Sequence, residues 1–396
     1  MKNTRATGYC GDNEEMSMTS ARDLISNLLT NSGPIERVGI FEHFWPETIL
    51  AWATEGYPVP EASESGTANL VNPADHFAFD MRMCGGWFDI DPIQGFEEIV
   101  AESDEWIIKR NGAGASLKYW KHKSGTPEHV DFRMLNRAVW ERDYRGHLLQ
   151  FDRRRLESGS WRGGRTLADD RAELAKSRAT KQWSFFGHVF IWEAMRQDMG
   201  DICMFESLSL DPSWIHDFNR VYTDFYKAHF RGLFDELGQP DGIWIYEDLA
   251  YRNGLFASPR VLRDLVVPYH AELVGFFHSH GLPVVLHCCG NITEGIPLVI
   301  EAGFDALQPM EIKAGCQPLA FAEQYHDRLA FIGGLDARIL ETNDRGTIER
   351  AVIELVEGMK DRGARYVFHS DHSISPRVKY DSYQWAVEAY RRHMAY

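Results

Sequence analysis

Cysteine is scarce in this 396-residue chain, and the six present, Cys10, Cys84, Cys203, Cys288, Cys289 and Cys316, are too few and too scattered for a disulfide framework. Reduced thiols are expected. There is no block of Lys and Arg either: 42 basic residues against 58 acidic ones leave a formal net charge of -16. Such a field repels phosphate backbones and anionic lipid, which argues against nucleic acid and membrane surfaces as partners. No stretch approaches the roughly 18 continuous apolar residues of a membrane span. Residues 1–20 lack the charged-then-apolar layout of a secretory signal, so a cytoplasmic location is expected. Internal repeats and low-complexity tracts are absent too. What is present is a hydrophobic fraction of 44% with 12 Trp, 15 Tyr and 23 Phe, enough for a sizeable core.

In the second half, short apolar runs alternate with amphipathic stretches, as expected for successive βα units. The runs at 242–248, 282–288, 305–310, 328–335 and 365–368 read as strands. The stretches at 258–280, 293–302, 318–326, 345–362 and 380–393 read as helices, the first opened by Ser258 as N-cap and Pro259 at its first position. Earlier, 38–44 and 77–81 read as strands, and 116–134 reads as a long antiparallel hairpin turning at Gly125-Thr126-Pro127. The Arg-, Asp- and Glu-rich stretch 133–178 reads as solvated helix and loop, punctuated by Ser158-Gly159-Ser160 and Gly163-Gly164. The expected fold is a (β/α)₈ TIM barrel over residues 21–396, with 1–20 as a flexible lead-in and the hairpin as an insertion.

In such barrels, reactive groups sit where strands end, because the loops there converge on one mouth. The strand ends supply Glu247 and Asp248, then His287 and Cys289, then Glu311, then Asp336, then His369, Asp371 and His372. His287 and Cys289 lie two residues apart, so on extended backbone both point to one face while Cys288 faces the other way and packs. Imidazole and thiolate are preferred zinc ligands, and a catalytic zinc takes three protein ligands and keeps one position open. His372 is the preferred third ligand, with Cys316, Asp371, His369 and Glu247 as alternatives. The competing structural reading is that Cys288 and Cys289 are small buried hydrophobes beside a satisfied histidine.

The segments GIWIYEDL, Ser258-Pro259, VVLHCCGN, FIGGLDA and VFHSDHSISP resemble the uroporphyrinogen decarboxylase superfamily over about residues 33–392. His287-Cys288-Cys289-Gly290 is similar to the His-x-Cys-Gly element of its methylcobamide methyltransferase branch. That resemblance implies a zinc enzyme moving a methyl group between a small O-, N- or S-methylated substrate and a corrinoid carried by a partner protein, as a homodimer. It also implies a third ligand at a late Cys, whose place here is taken by His372. Asp248, Glu247 and Asp371 are then expected to orient ligands or handle protons. The Arg-rich substrate segment of the decarboxylases has no counterpart in 37–47. Glu42, His43, Trp45 and Glu47 instead outline a pocket for a smaller aromatic or cationic molecule, and Trp45 and Trp87 serve equally well as core. Asp80, Glu311, Asp336 and His369 complete the expected substrate contacts. The rival readings are a metal-independent decarboxylase using Asp80 or Asp248 with His372, and a non-catalytic barrel that binds a corrinoid or small ligand.

Overall fold

A computed structural model describes residues 19–59, 70–122, 127–159 and 162–396. Eight parallel strands organise it: β1 (Gly39–Ile40), β2 (Met81–Met83), β3 (Trp183–Val189), β4 (Gly242–Tyr246), β5 (Val284–His287), β6 (Ala306–Gln308), β7 (Ala330–Ile332) and β8 (Tyr366–Phe368). Their hydrogen-bonded order is β1-β8-β7-β6-β5-β4-β3-β2, so every strand lies beside its sequence neighbour. The seam between β1 and β2 is closed through Asp80. Its N–H donates to the Ile40 carbonyl at 2.9 Å, and its carboxylate accepts from the Ile40 N–H at 2.8 Å. Arg37 clamps the same carboxylate through two hydrogen bonds of 2.6 and 2.7 Å. The result is a (β/α)₈ TIM barrel.

Helices cover the outer face, so the strands are buried on both sides and carry continuous rather than alternating apolar character. β3 shows why the first half of the barrel is hard to see in sequence. All seven of its residues are buried, yet WSFFGHV contains Ser184 and His188. Both are satisfied internally, Ser184 by Asp241 at 2.8 Å and His188 by the Val189 carbonyl at 3.0 Å. The strand expected at 77–81 falls at Met81–Met83 instead. Phe77 and Phe79 precede it and pack into an aromatic core with Phe44, Trp52 and Tyr383. The helix expected over 258–280 is two, Pro259–Leu265 and Val267–His278, because Pro268 starts a new helix. Within 133–178, Arg155 and Arg162 are buried rather than solvated, the latter paired with Asp170 at 2.8 Å.

The insertion is larger than a hairpin. It is a four-stranded antiparallel sheet of Glu97–Glu102, Trp106–Asn111, Ser116–Trp120 and Glu128–Asp131, paired in chain order. Its first strand is almost wholly exposed, which removes the alternation that would have announced it. The expected turn at Gly125-Thr126-Pro127 falls mostly in 123–126, outside the described residues, as do Ser160, Cys10 and 1–18 of the expected lead-in. Among the described residues, no helix is long and apolar enough to cross a membrane.

Candidate metal centre at the barrel mouth

β5 delivers His287 to the mouth, and the chain leaves the sheet with Cys288 buried while His287 and Cys289 stay half-buried. Cys289 Sγ lies 3.3 Å from His287 Nε2. β4 pairs with β5 in a register that sets Tyr246 beside His287, so Asp248 arrives next to Cys289. One Asp248 oxygen accepts the Cys289 N–H at 2.8 Å and lies 3.9 Å from His287 Nε2. Among the described residues, Asp248, His287 and Cys289 form the group of His, Cys and acidic side chains whose ligand atoms all fall within 4.8 Å of one another.

The donor set suits zinc. His287 Nδ1 donates to the side-chain carbonyl of Gln308 at the end of β6, which leaves Nε2 as the lone-pair nitrogen aimed at Cys289. Burial and the neighbouring Asp248 and Glu311 charges push the Cys289 thiol well above its usual range, a penalty that a dication would reverse by favouring the thiolate. Gln308 was not anticipated, because a search of strand ends for acids, His and Cys passes over an amide.

His372 stands outside this group. Its Nδ1 faces the Ser373 carbonyl at 3.5 Å, and its ring tilts against Trp45 at 6.4 Å between centroids. Asp248, not His372, is the residue whose ligand atom lies within 4.8 Å of those of both His287 and Cys289. Cys316 and Glu247 are committed elsewhere: the buried Cys316 thiol donates to the Gly290 carbonyl at 3.4 Å, and Glu247 is fully buried. Glu247 accepts from the backbone N–H groups of Phe190, Trp192 and Glu193 at 2.7, 3.0 and 3.2 Å, and pairs with His270 at 2.9 Å. Its two oxygens are thus consumed in anchoring the helix start after β3, and it does not face the mouth as a proton carrier.

Two more acids hold the loops. Glu311 accepts the Gly290 N–H at 2.6 Å, fixing the turn behind Cys289. Asp371 accepts from Ile312 and Ala337 at 2.9 and 2.8 Å, fastening the loops after β6 and β7 to the loop after β8. Asp336 caps the helix Ala337–Glu341 and pairs with Arg338 at the rim. Asp80 belongs to the barrel seam rather than to a substrate pocket. Gly290 has φ +84°, and a Cβ there would lie 2.7 Å from the backbone of Ala250 and Tyr251. Gly290→Ala is therefore expected to displace the Cys289 loop and weaken zinc binding by at least about tenfold in a chelator competition.

Beneath the mouth, Glu42, His43 and His369 form a buried network. The Tyr246 hydroxyl donates to His43 Nε2 at 3.5 Å, His43 Nδ1 meets His369 Nε2 at 3.2 Å, and His369 Nδ1 donates to the Ser370 carbonyl at 2.5 Å. Burial holds His369 down to about 3 and pushes Glu42 up to about 8 from its ordinary 4.5. Glu42 accepts from the His43 and Ser370 N–H groups and the Ser370 hydroxyl, at 2.9 to 3.0 Å. A carboxyl whose folded pKa is raised contributes stability below its unfolded pKa and loses it as pH rises toward the folded value. Glu42→Gln is accordingly expected to flatten the fall in stability between pH 4.5 and 8, read from denaturant midpoints across that window.

The Asp248 side of the centre opens into a cavity of about 640 Å³ between the barrel and the inserted sheet. Its barrel wall includes Glu193, unanticipated because β3 was, whose Oε1 accepts the Asp248 N–H at 3.3 Å and pairs with Arg196 at 2.9 Å. The Cys289 side faces a separate cleft of about 450 Å³ lined by Arg252, Lys313 and Arg338.

Residues 207–393 match the sequence profile of the uroporphyrinogen decarboxylase family. Among solved structures, a methyltransferase from Methanosarcina mazei superposes with a TM-score of 0.63 at 13% identity, covering 94% of this chain and 98% of that one. At that identity the likeness establishes the fold. A broad-specificity endoglucanase from Clostridium longisporum reaches a TM-score of 0.34 at 9% identity over 57% of this chain and 76% of its own. No curated protein matches the sequence.

Proposed function

Taking residues 207–393 as a uroporphyrinogen decarboxylase family domain, we propose that the protein is a zinc-dependent methyltransferase acting between a small methylated substrate and a corrinoid held by a partner protein. The observation that carries this reading is the convergence of Asp248, His287 and Cys289 at the mouth of the barrel. Asp248, His287 and Cys289 would hold the zinc, which would supply Lewis acidity toward a substrate heteroatom.

The chain's own residues set the conditions for that chemistry. Gln308 keeps His287 in the tautomer with a bare Nε2. The Cys289 N–H orients the Asp248 carboxylate, and Glu311 holds the Gly290 turn that positions Cys289. In demethylation, the heteroatom keeps the electron pair of the breaking carbon bond and is protonated from solvent. A corrinoid held by the partner would supply the electron pair for the new bond to the methyl carbon, so the transfer would need no further oxidant or reductant. The Asp248 cavity and the Cys289 cleft offer separate approaches for the small substrate and the larger corrinoid partner.

The decisive experiment combines metal analysis with methyl transfer to cob(I)alamin from a panel of methoxyaromatics, methylated amines and methyl thioethers. Zinc near one per chain and zinc-dependent methylcobalamin formation with at least one donor class are expected. Zinc far below stoichiometry after purification without chelators overturns the reading.

A further inference from the structure

The barrel's antiparallel insertion has a chemistry of its own. In its register Lys109 pairs with Leu117, Ile107 with Tyr119, and Leu117 with His129. Side chains alternate across a sheet, so Lys109, Leu117, Tyr119 and His129 share one face. These four line the cavity of about 640 Å³, and Asp248 of the metal centre lines its opposite wall. The volume lies within the range of small-molecule sites.

The charges in this chamber do not cancel. Lys109 is neutralised by Glu97 at 2.8 Å, Arg110 by Glu98 at 2.9 Å and Arg196 by Asp201 at 3.0 Å, while Glu193, 2.9 Å from Arg196, is pushed up to about 8 by burial. Asp89 and Asp91 also line the chamber; they accept the N–H groups of Asp91, Gly95 and Gly112, and among the described residues neither has a Lys or Arg within ion-pair distance of its carboxylate. Arg155, the nearest buried cation, spends its donors on the backbone carbonyls of Asp89, Asp91 and Pro92. Asp91 is pushed up to about 7 by burial and the Asp89 charge, a state that an incoming cation relieves. Phe96 and Tyr119 add aromatic faces to the same walls. Surplus carboxylate together with aromatic rings is the chemistry that retains methylated ammonium groups.

We infer that the chamber between the inserted sheet and Asp248 binds the cationic head of a methylated ammonium compound, and that Asp91 and Tyr119 set this preference. The inference rests on the proposed role of Asp248 in the methyl-transfer centre. It is tested by equilibrium binding, which needs no turnover. Choline and its neutral isostere 3,3-dimethyl-1-butanol are titrated calorimetrically into the protein as purified, with zinc measured on the same samples.

Choline is expected to bind at least about tenfold more tightly than the isostere. Asp91→Asn should remove most of that advantage while leaving the isostere unchanged. Tyr119→Leu should weaken choline, and Tyr119→Phe should restore it, which separates a ring contact from a folding defect. Equal affinities, tighter binding of the isostere, or no binding of either overturns the inference, whatever the zinc content. Choline binding in a protein that holds no zinc supports the chamber and instead removes the proposed methyl-transfer chemistry.

Discussion

Cys289→Ala is expected to purify with less than about one-tenth of a zinc per chain where the unsubstituted protein carries about one, because a site of three protein ligands cannot spare its only thiolate. His287→Ala and Asp248→Ala should behave alike, since their ligand atoms and Cys289 Sγ all lie within 4.8 Å of one another. His372→Ala should keep its zinc, because that ring is turned toward Trp45 and the Ser373 carbonyl. Gln308→Leu is an intermediate case: it leaves all three ligands but releases His287 Nδ1, and a loss of about 10- to 100-fold in zinc affinity is expected. Metal analysis after gel filtration, with chelator competition for the tighter variants, reads all five. Full zinc in Asp248→Ala together with loss in His372→Ala would put His372 in place of Asp248 as the third ligand, the set that the family resemblance implies.

Arg37→Ala is expected to destabilise the protein by about 3–5 kcal/mol, the cost of leaving a buried carboxylate without its counter-ion. The Asp80 side chain is only 4% exposed, and Arg37 contributes both of its cationic contacts. The same carboxylate receives the Ile40 N–H, so the pair is the hinge point of the β1–β2 seam. Adding Asp80→Asn to Arg37→Ala should recover part of the loss, since an amide oxygen still accepts from Ile40 and no charge remains buried. Urea denaturation at constant pH measures all three proteins. Zinc content at low temperature should be unchanged throughout. A variant that melts normally but loses substrate binding would return Asp80 to the substrate-contact role expected of it from sequence.

Both outcomes turn on features of very different visibility. The barrel rhythm after residue 242 is plain in sequence because each parallel strand there is a nearly unbroken apolar run. His287 and Cys289 are equally plain, since a two-residue spacing at a strand end needs only the period of extended backbone to put both on one face. β3 is hidden because its serine and histidine are satisfied by partners that lie outside the strand's own pattern. The insertion is half hidden because its outermost strand is exposed on both faces.

By itself, then, the sequence showed the βα rhythm of the second half of the barrel and put His287 and Cys289, two residues apart, on one face, both of which follow from local periodicity. Only the tertiary structure decided which of the many strand-end acids lies beside His287 and Cys289. Loops at a barrel mouth leave backbone N–H groups without ladder partners, and buried donors must find acceptors. Glu247, Glu311 and Asp371 are taken up by that demand. Asp248 also accepts a backbone N–H, but the β4–β5 register places it against Cys289 with the ligand atoms of His287 in reach. Asp248 is 41 positions from Cys289, and nothing in the sequence alone says that it rather than Glu247 meets Cys289. Strand pairing does.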